Sequence, residues 1–272
     1  MDAENVAISA NSRKLKKRAS VVQAVHNSLT MAYRDLLKMR RTPEQFSDVT
    51  IQPILFPVMF TYIFGGAIAG NVHAYLPYII PGMLAMSVVT TSQVTGTQLR
   101  EDMDKGVFNR FRSLPIARIA PLAGALIADT LRYAIATFMT FLTGYVIGYR
   151  PGAGLGGVVA ASLLTIVVAW AISWIFALIG VMARSSSSVQ AIAFLVIFPL
   201  SFLSNAFVPV KTLPGWMQAF VKVNPISHLV SAARQLANYG TIGHDFWYCL
   251  LGAAVVVLIF APLTVRAYMR RA

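Results

Sequence analysis

One acidic residue, Asp129, falls inside an otherwise apolar stretch, and Arg132 follows it one helical turn later. Side chains at this i, i+3 spacing share a helix face and can form an ion pair. A carboxylate inside a membrane span can serve a proton relay, whereas a paired one near the end of a span holds helices together. Because a proton relay needs a carboxylate that titrates without a fixed counter-ion, we interpret Asp129 and Arg132 as a structural ion pair. A proton-coupled carrier that uses Asp129 is the alternative.

The glycine and lysine patterns do not support nucleotide binding. Gly152, Gly154 and Gly157 have the spacing G-x-G-x-x-G, but they follow an apolar stretch, and residues 171–183 offer no acidic group for a ribose. None of the seven lysines directly follows a glycine, so the chain has no P-loop motif. We therefore expect no catalytic residue and no cofactor on this chain. The chain is therefore not expected to be a P-loop ATPase.

Metal chemistry has equally little support. The four histidines do not pair at i, i+4 with one another or with carboxylates, and the single cysteine cannot form a multi-cysteine site. Glu101, Asp102 and Asp104 form the acidic cluster that could hold magnesium and a diphosphate. A membrane enzyme transferring a prenyl or phospho-alcohol group is thus a third functional class to test, although we expect no metal site.

The composition predicts an all-α polytopic membrane protein that positions these groups. Of the 272 residues, 57% are hydrophobic and 12% are charged, and the mean hydropathy is +0.64. Residues 49–99 carry no charge and are divided near Gly70 and Asn71 into two spans. Four further spans are predicted at 133–149 (beginning a turn or more earlier), 152–183, 185–210 and 246–265. Six spans place both termini on the same side.

Positive charge gives the predicted orientation. The formal net charge is +13, and 18 of the 23 lysines and arginines lie in the N-terminal arm, the 100–118 loop, Arg184 and the C-terminal tail. By the positive-inside rule this side is cytoplasmic, so we predict a multi-pass protein of the cell membrane with both termini inside. Nucleic acid is not an expected partner, because the chain lacks the polar surface that a basic nucleic-acid patch needs.

The N-terminal residues 1–48 are predicted to form a basic arm and an amphipathic elbow helix, and residues 49–272 the six-span domain. Apolar residues recur at helical spacing within the arm, with Arg34, Asp35 and Lys38 on other faces. This pattern favours a helix on the inner leaflet that contacts anionic lipid, the alternative being a solvated basic arm. The apolar positions are Val22, Val25, Leu29, Ala32, Leu36 and Leu37.

In the outer segment 209–245, apolar residues recur at helical spacing. A short helix around Trp216 and a second one at 226–238 are predicted on either side of Asn224-Pro225. Because irregular backbone at membrane depth is tolerated when protein surrounds it, this pattern favours a re-entrant hairpin before the last span. A cap lying on the outer surface is the alternative.

The inner loop 99–118 mixes both charge signs with Phe108 and Phe111. Aromatic side chains supply interface energy while rim charges set register, so this loop is a candidate docking element. In the alternative interpretation both phenylalanines fold back onto the membrane surface. Two G-x-x-x-G pairs, Gly66 with Gly70 and Gly144 with Gly148, indicate close helix packing, although such pairs are common in apolar helices.

The chain resembles the type 2 ABC exporter permeases, and within them the daunorubicin-resistance permease subunits of actinobacteria. The resemblance rests on residues 198–209, 213–216 and 223–228, on Arg234, and on Arg112-Ser-Leu-Pro115-Ile. It implies a permease that pairs with a separate cytoplasmic ABC ATPase carrying ATP and magnesium. Two ATPases and two permeases, identical or sister subunits, would then export an amphipathic or hydrophobic drug or lipid. Export of a glycolipid or lipid-linked polysaccharide is the alternative.

The resemblance also assigns residues to roles. Its coupling helix maps onto Glu101, Asp102, Lys105, Gly106, Phe108, Arg110, Phe111, Arg112 and Pro115. Spans one, two and five would line the solute path, for which we select Phe56, Phe60, Met86, Thr90, Gln93, Phe198, Phe202 and Asn205. The hydroxyls of span two could meet a solute, or they could bond their own helix backbone. The outer hairpin is assigned Trp216, Asn224, Pro225 and Arg234.

Overall fold

The computed structural model describes residues 21–107, 117 and 119–271, and these residues are mostly helical and contain no strand. The described chain contains eleven α-helices, which we number in order. They are α1 Val21–Arg41, α2 Pro43–Thr50, α3 Gln52–Ala69, α4 Val72–Ser92, α5 Val94–Asp104, α6 Ala120–Val146, α7 Gly154–Met182, α8 Ser186–Phe202, α9 Gly215–Val223, α10 Pro225–Tyr239 and α11 His244–Arg271.

Within the described residues, five helices are long and apolar enough to cross a membrane: α3, α4 continued by α5, α6, α7 and α11. The predicted fifth span at 185–210 is instead the 17-residue helix α8, followed by irregular backbone from Leu203. The predicted third span begins much earlier than position 133, since α6 begins at Ala120. The predicted loop 99–118 likewise begins inside α5, because the helix continues to Asp104.

The core is built around α4, which packs against α3, α6, α7 and α10. Its residues Leu76, Ile80 and Leu84 are fully buried and join Leu229 and Ala233 of α10 in the main hydrophobic cluster. The apolar outward faces of α3 and α11 stay exposed, as expected for helices that face lipid. The fold therefore surrounds α4 with packed helices and places α3 and α8 beside it.

Glycines allow two close helix approaches in the half of the protein that contains α5. At the crossing of α5 and α7, a Cβ on Gly180 would meet the backbone of Gly96, and a Cβ on Gly96 would meet the backbone of Phe176. Gly124 of α6 likewise leaves room for Met31 of α1. The first of the G-x-x-x-G pairs has no such role, because a Cβ on Gly66 or Gly70 meets nothing within 4 Å.

Candidate transport groove and its supports

An apolar groove of about 360 Å³ lies between α3, α4 and α8, and we call it the groove. These helices are the predicted spans one, two and five. Seven of the eight residues selected for the solute path line it: Phe56, Phe60, Met86, Thr90, Gln93, Phe198 and Phe202. The eighth, Asn205, does not, because its amide nitrogen donates to the Ser231 hydroxyl on α10 at 2.7 Å. Phe194 and Phe207 also line the groove, although they were not selected from the sequence.

Phenylalanine rings form a continuous row along the groove. On α8, ring centroids of Phe194 and Phe198 are 5.0 Å apart, and those of Phe198 and Phe202 are 4.5 Å apart. Phe207 continues the row at 5.2 Å from Phe202 and reaches Phe60 of α3 at 4.8 Å. Offset rings at these spacings attract one another and present a flat aromatic surface. The three α8 rings are exposed by 44–64%, so a planar apolar solute can reach them.

The groove continues into a polar cavity of about 780 Å³, which we call the vestibule. Gln52, Thr90, Gln93 and Phe194 line both spaces, so the two are continuous. The vestibule adds Thr97, Glu101 and Lys105 of the α5 segment to its wall. The path therefore changes from charged and amide groups to aromatic rings along its length.

Threonine hydroxyl groups in α4 donate hydrogen bonds to backbone carbonyl oxygens of the same helix. Thr90 donates to the carbonyl oxygens of Met86 and Ser87 at 2.9 Å, and Thr91 donates to that of Ser87 at 2.7 Å. This is the backbone bonding that the alternative interpretation described. The threonine oxygens keep acceptor lone pairs, so Thr90 can still accept a hydrogen bond from a solute.

Behind the groove, Asp129 and Arg132 of α6 form an ion pair, and both side chains are completely buried in the protein interior. Arg132 donates to the Asp129 carboxylate at 2.6 Å and, through its other terminal nitrogen, to the Gln98 side-chain oxygen at 2.7 Å. The hydroxyl of Thr95 donates to the second Asp129 oxygen in a short hydrogen bond. Both charges thus have partners from α5, which compensates part of the cost of burying them. The network ties α6 to the helix that lines the vestibule.

The predicted coupling residues lie in different surroundings. Glu101 and Lys105 pair at 3.5 Å on the vestibule side. Asp102 is buried instead, where Lys38 and Arg34 of α1 contact its carboxylate at 3.1 and 3.5 Å. Gly106 has φ +66°, which glycine adopts readily. The other predicted coupling residues, Phe108, Arg110, Phe111, Arg112 and Pro115, lie outside the described residues.

The contact between Asp102 and α1 links the predicted elbow helix to the predicted coupling segment. Sequence reasoning did not find it, since Lys38 and Asp102 are far apart along the chain. Asp35 lies in the same cluster, and its desolvation by burial raises its pKa to about 6, although the positive charge of Arg34 opposes the shift. The cluster makes α1 part of the structure that positions α5.

At the end of the groove away from the vestibule, side chains bond the backbone of the last turn of α8 and of the irregular segment that follows it. Asn224 donates to the carbonyl oxygens of Leu200 and Leu203 at 2.6 and 3.0 Å, and its own oxygen caps α10 at Ile226. Arg234 donates to the carbonyl oxygens of Tyr78 and Asn205 at 3.1 and 3.0 Å, with its guanidinium 3.7 Å above the Tyr78 ring.

The four residues predicted for the outer hairpin differ in what they contribute to these bonds. Pro225 is the first residue of α10, where a missing N–H costs little. Trp216, near the start of α9, is 67% exposed and contributes nothing to these bonds. Buried backbone groups need partners, and Asn224 and Arg234 supply them where the helix ends. Arg234 of α10 and Asn224, which caps α10, therefore hold the end of the groove away from the vestibule.

These features define the transmembrane subunit of a transporter: several apolar helices, a path open along one side, and no nucleotide motif in the chain. The chain belongs to the ABC-2 type transporter family, which it matches over residues 27–237. It is a permease subunit rather than an ATPase, and permeases of this family normally work with an ABC ATPase partner. The resemblance found in the sequence is thus confirmed.

Individual relatives narrow the comparison. The daunorubicin resistance ABC transporter permease protein DrrB1 of Streptomyces coeruleorubidus is 42% identical over 94% of this chain and 90% of its own. The probable doxorubicin resistance ABC transporter permease protein DrrC of Mycobacterium tuberculosis is 24% identical over 89% of this chain and 88% of its own. The inner membrane transport permease YadH of Escherichia coli is 24% identical over 71% of this chain and 75% of its own. The chain is therefore similar along most of its length to permeases named for drug resistance.

Proposed function

We propose that this chain is the permease of an ATP-driven exporter that moves an amphipathic aromatic drug out of the cytoplasm or the inner leaflet. The observation that carries the proposal is the row of phenylalanine rings in the groove, continuous with a polar vestibule at the opposite end from α10. A solute with a flat apolar part and a polar part can enter at the vestibule and stack on the rings. The names of the relatives, which refer to daunorubicin and doxorubicin, support this solute class.

The proposed assembly contains two permeases, identical or sister subunits, and two ABC ATPases that bind ATP and magnesium. The groove is open along one side of α3, α4 and α8, so a second permease would close it. ATP-driven closure of the ATPases would then alternate access between the vestibule and the outer end. Asp129 is an unsuitable proton carrier because Arg132 and Thr95 both bond it.

The proposed topology keeps six crossings in a domain of residues 49–272, with both termini on the cytoplasmic side of the cell membrane. The short helix α8 would complete its crossing with the irregular segment that follows it, because Asn224, Arg234 and Tyr75 bond the carbonyl groups there. Packing of α10 against α4, α7 and α11 supports a re-entrant position for the 209–245 hairpin rather than a surface cap.

An elbow role for α1, within the proposed arm of residues 1–48, is supported by its two faces. One face, with Met31 and Met39, is buried in the protein. Another face leaves Val22, Val25 and Leu29 more than half exposed although they are apolar. A helix with an exposed apolar face and basic residues at its end suits the surface of an anionic bilayer.

Transport by the purified complex tests the proposal. The permease is co-purified with its ATPase and reconstituted in vesicles, and ATP-dependent accumulation of fluorescent daunorubicin is followed. We expect Phe198→Ala with Phe202→Ala to lower the rate about tenfold, because two ring contacts worth about 0.5–1.5 kcal/mol each are lost. Phe138→Ala removes an exposed ring from α6 outside the groove and is the matched control. Equal rates for the double variant and the control would contradict the assignment of the groove.

Coupling to the ATPase has its own test. Replacing Phe108 and Phe111 by alanine should abolish co-purification of the ATPase, because a docking helix without its aromatic anchors loses most of its interface energy. Membrane insertion and the yield of the permease should not change. Phe46→Ala, which removes an exposed ring from α2, serves as the control. Undiminished co-purification by the double variant would remove the docking role from this loop.

A further inference from the structure

A second apolar cavity, of about 460 Å³, lies on the other side of α8 from the groove, and we call it the rear cavity. It is bounded by α7, α8, α10 and α11, and its wall includes Ala171, Phe176, Val196, Leu229, Gly252 and Val256. No step of the proposed transport path uses it. Small residues create the space: Gly252 has no atom within 4 Å of the position of a Cβ.

The rear cavity is closed at the back and open at the side. Phe176 and Leu229 at the back are buried, whereas Val196 of α8 and Tyr248 of α11 at the side are about half exposed. Helices α8 and α11 both pack on α7, and the opening lies between them. Since α7 and α11 are long apolar helices of a membrane protein, the opening faces the hydrocarbon of the bilayer.

Polarity changes along the rear cavity. At one end His228 lines the wall and bonds Asp245, with 2.6 Å between the ring nitrogen and the carboxylate oxygen. From Tyr248 to Val256 the wall on α11 extends about 12 Å away from this pair, and its lining is almost wholly apolar. An occupant that fits has a polar end and a narrow apolar chain.

We propose that the rear cavity binds one acyl chain of a membrane phospholipid, with its headgroup at the level of His228 and Asp245. In a bilayer, an acyl chain is the apolar group present at the opening, and filling the space restores dispersion contacts that an empty void forfeits. Ile197 lines both the rear cavity and the groove. An acyl chain therefore supports α8 from behind while the phenylalanine row faces the groove. This inference depends on the membrane location of the chain and not on the identity of the solute.

Photo-crosslinking tests the inference with the full chain reconstituted in phosphatidylethanolamine vesicles. A diazirine placed midway along one acyl chain labels the residues that surround it, and labelled peptides are mapped by mass spectrometry. We expect labelling of segments 168–179 and 248–256 on their cavity sides. Gly252→Leu should lower that labelling about fivefold or more, because the new side chain fills the space that the alkyl chain would occupy. Gly156→Leu places the same side chain at an exposed helical glycine with equally open surroundings and should change nothing.

A second variant keeps the test decisive if Gly252→Leu does not fold. Val196→Trp narrows the opening and should also lower labelling, whereas its exposed neighbour Leu195→Trp lies outside the cavity wall and should not. Labelling that is unchanged in both cavity variants, or that is spread evenly over the outer face of α11, would overturn the inference. Displacement of the label by excess daunorubicin would also overturn it, because the cavity would then be a solute site.

Discussion

Arg132→Met is expected to destabilise the permease by about 3–5 kcal/mol, because removing one partner leaves a buried charge uncompensated. Asp129 is completely buried and lies between Arg132 and Thr95, so water cannot replace the lost guanidinium. Gln98 also loses the donor to its side-chain oxygen. The unfolding midpoint in detergent, followed by tryptophan fluorescence, and the yield of monodisperse protein measure the effect.

The double variant Asp129→Asn with Arg132→Met separates the ion pair from ordinary packing. It removes both charges at nearly constant volume, so we expect it to recover much of the stability that Arg132→Met loses. ATP-dependent transport should also recover, because the pair is a structural connection between α6 and α5. A double variant as unstable as the single one would show that packing, not charge, explains the loss. A folded double variant without transport would instead favour a proton role for Asp129.

The sequence predicts this pair because both residues lie on one helix at a fixed spacing. Its other partners, Thr95 and Gln98, belong to α5 and are separated from Arg132 by more than thirty positions. No local pattern encodes such a contact, because it depends on the angle at which two helices pack. The same limit explains why the contact between Lys38 and Asp102 escaped sequence reasoning.

Helix positions in the membrane are predictable from uncharged runs, because burying a charge in hydrocarbon is costly. The ends are less predictable, since α6 extends past the charged Arg132 and Asp129 back to Ala120, and α5 extends through charged sequence to Asp104. For the groove, Phe194 could have been found, because it precedes Phe198 by one turn on the same helix face. Phe207 could not, since it lies in irregular backbone that Tyr75 bonds at 2.5 Å.

The first G-x-x-x-G pair gives a clear difference between sequence and structure, whereas a Cβ on Gly144 of the second pair would meet Ile80 of α4 at 2.9 Å. The G-x-x-x-G spacing of Gly66 and Gly70 predicts close helix packing, yet neither position touches a neighbour in the described chain. The close approach occurs between Gly96 and Gly180, which have no partner at that spacing in their own helices. A spacing motif reports one helix only, whereas a crossing needs small residues on two helices at the same depth.

Opposite effects on stability are therefore expected from the same substitution at two glycines. Gly180→Ala places a methyl group against the backbone of Gly96, which cannot rotate away, so α5 and α7 must separate. We expect a loss of about 1–3 kcal/mol from this overpacking. Gly66→Ala meets no atom within 4 Å and removes a flexible residue from α3, so we expect a gain of about 0.5–1 kcal/mol.

Unfolding midpoints of both variants in the same detergent measure the two effects. Because α5 lines the vestibule and carries Glu101, Gly180→Ala should also lower the ATP-dependent transport rate of the protein that still folds. Gly66→Ala should leave that rate unchanged. A destabilised Gly66→Ala together with a neutral Gly180→Ala would place the close helix contact where the G-x-x-x-G spacing predicts it, and would contradict the crossing of α5 and α7 described above.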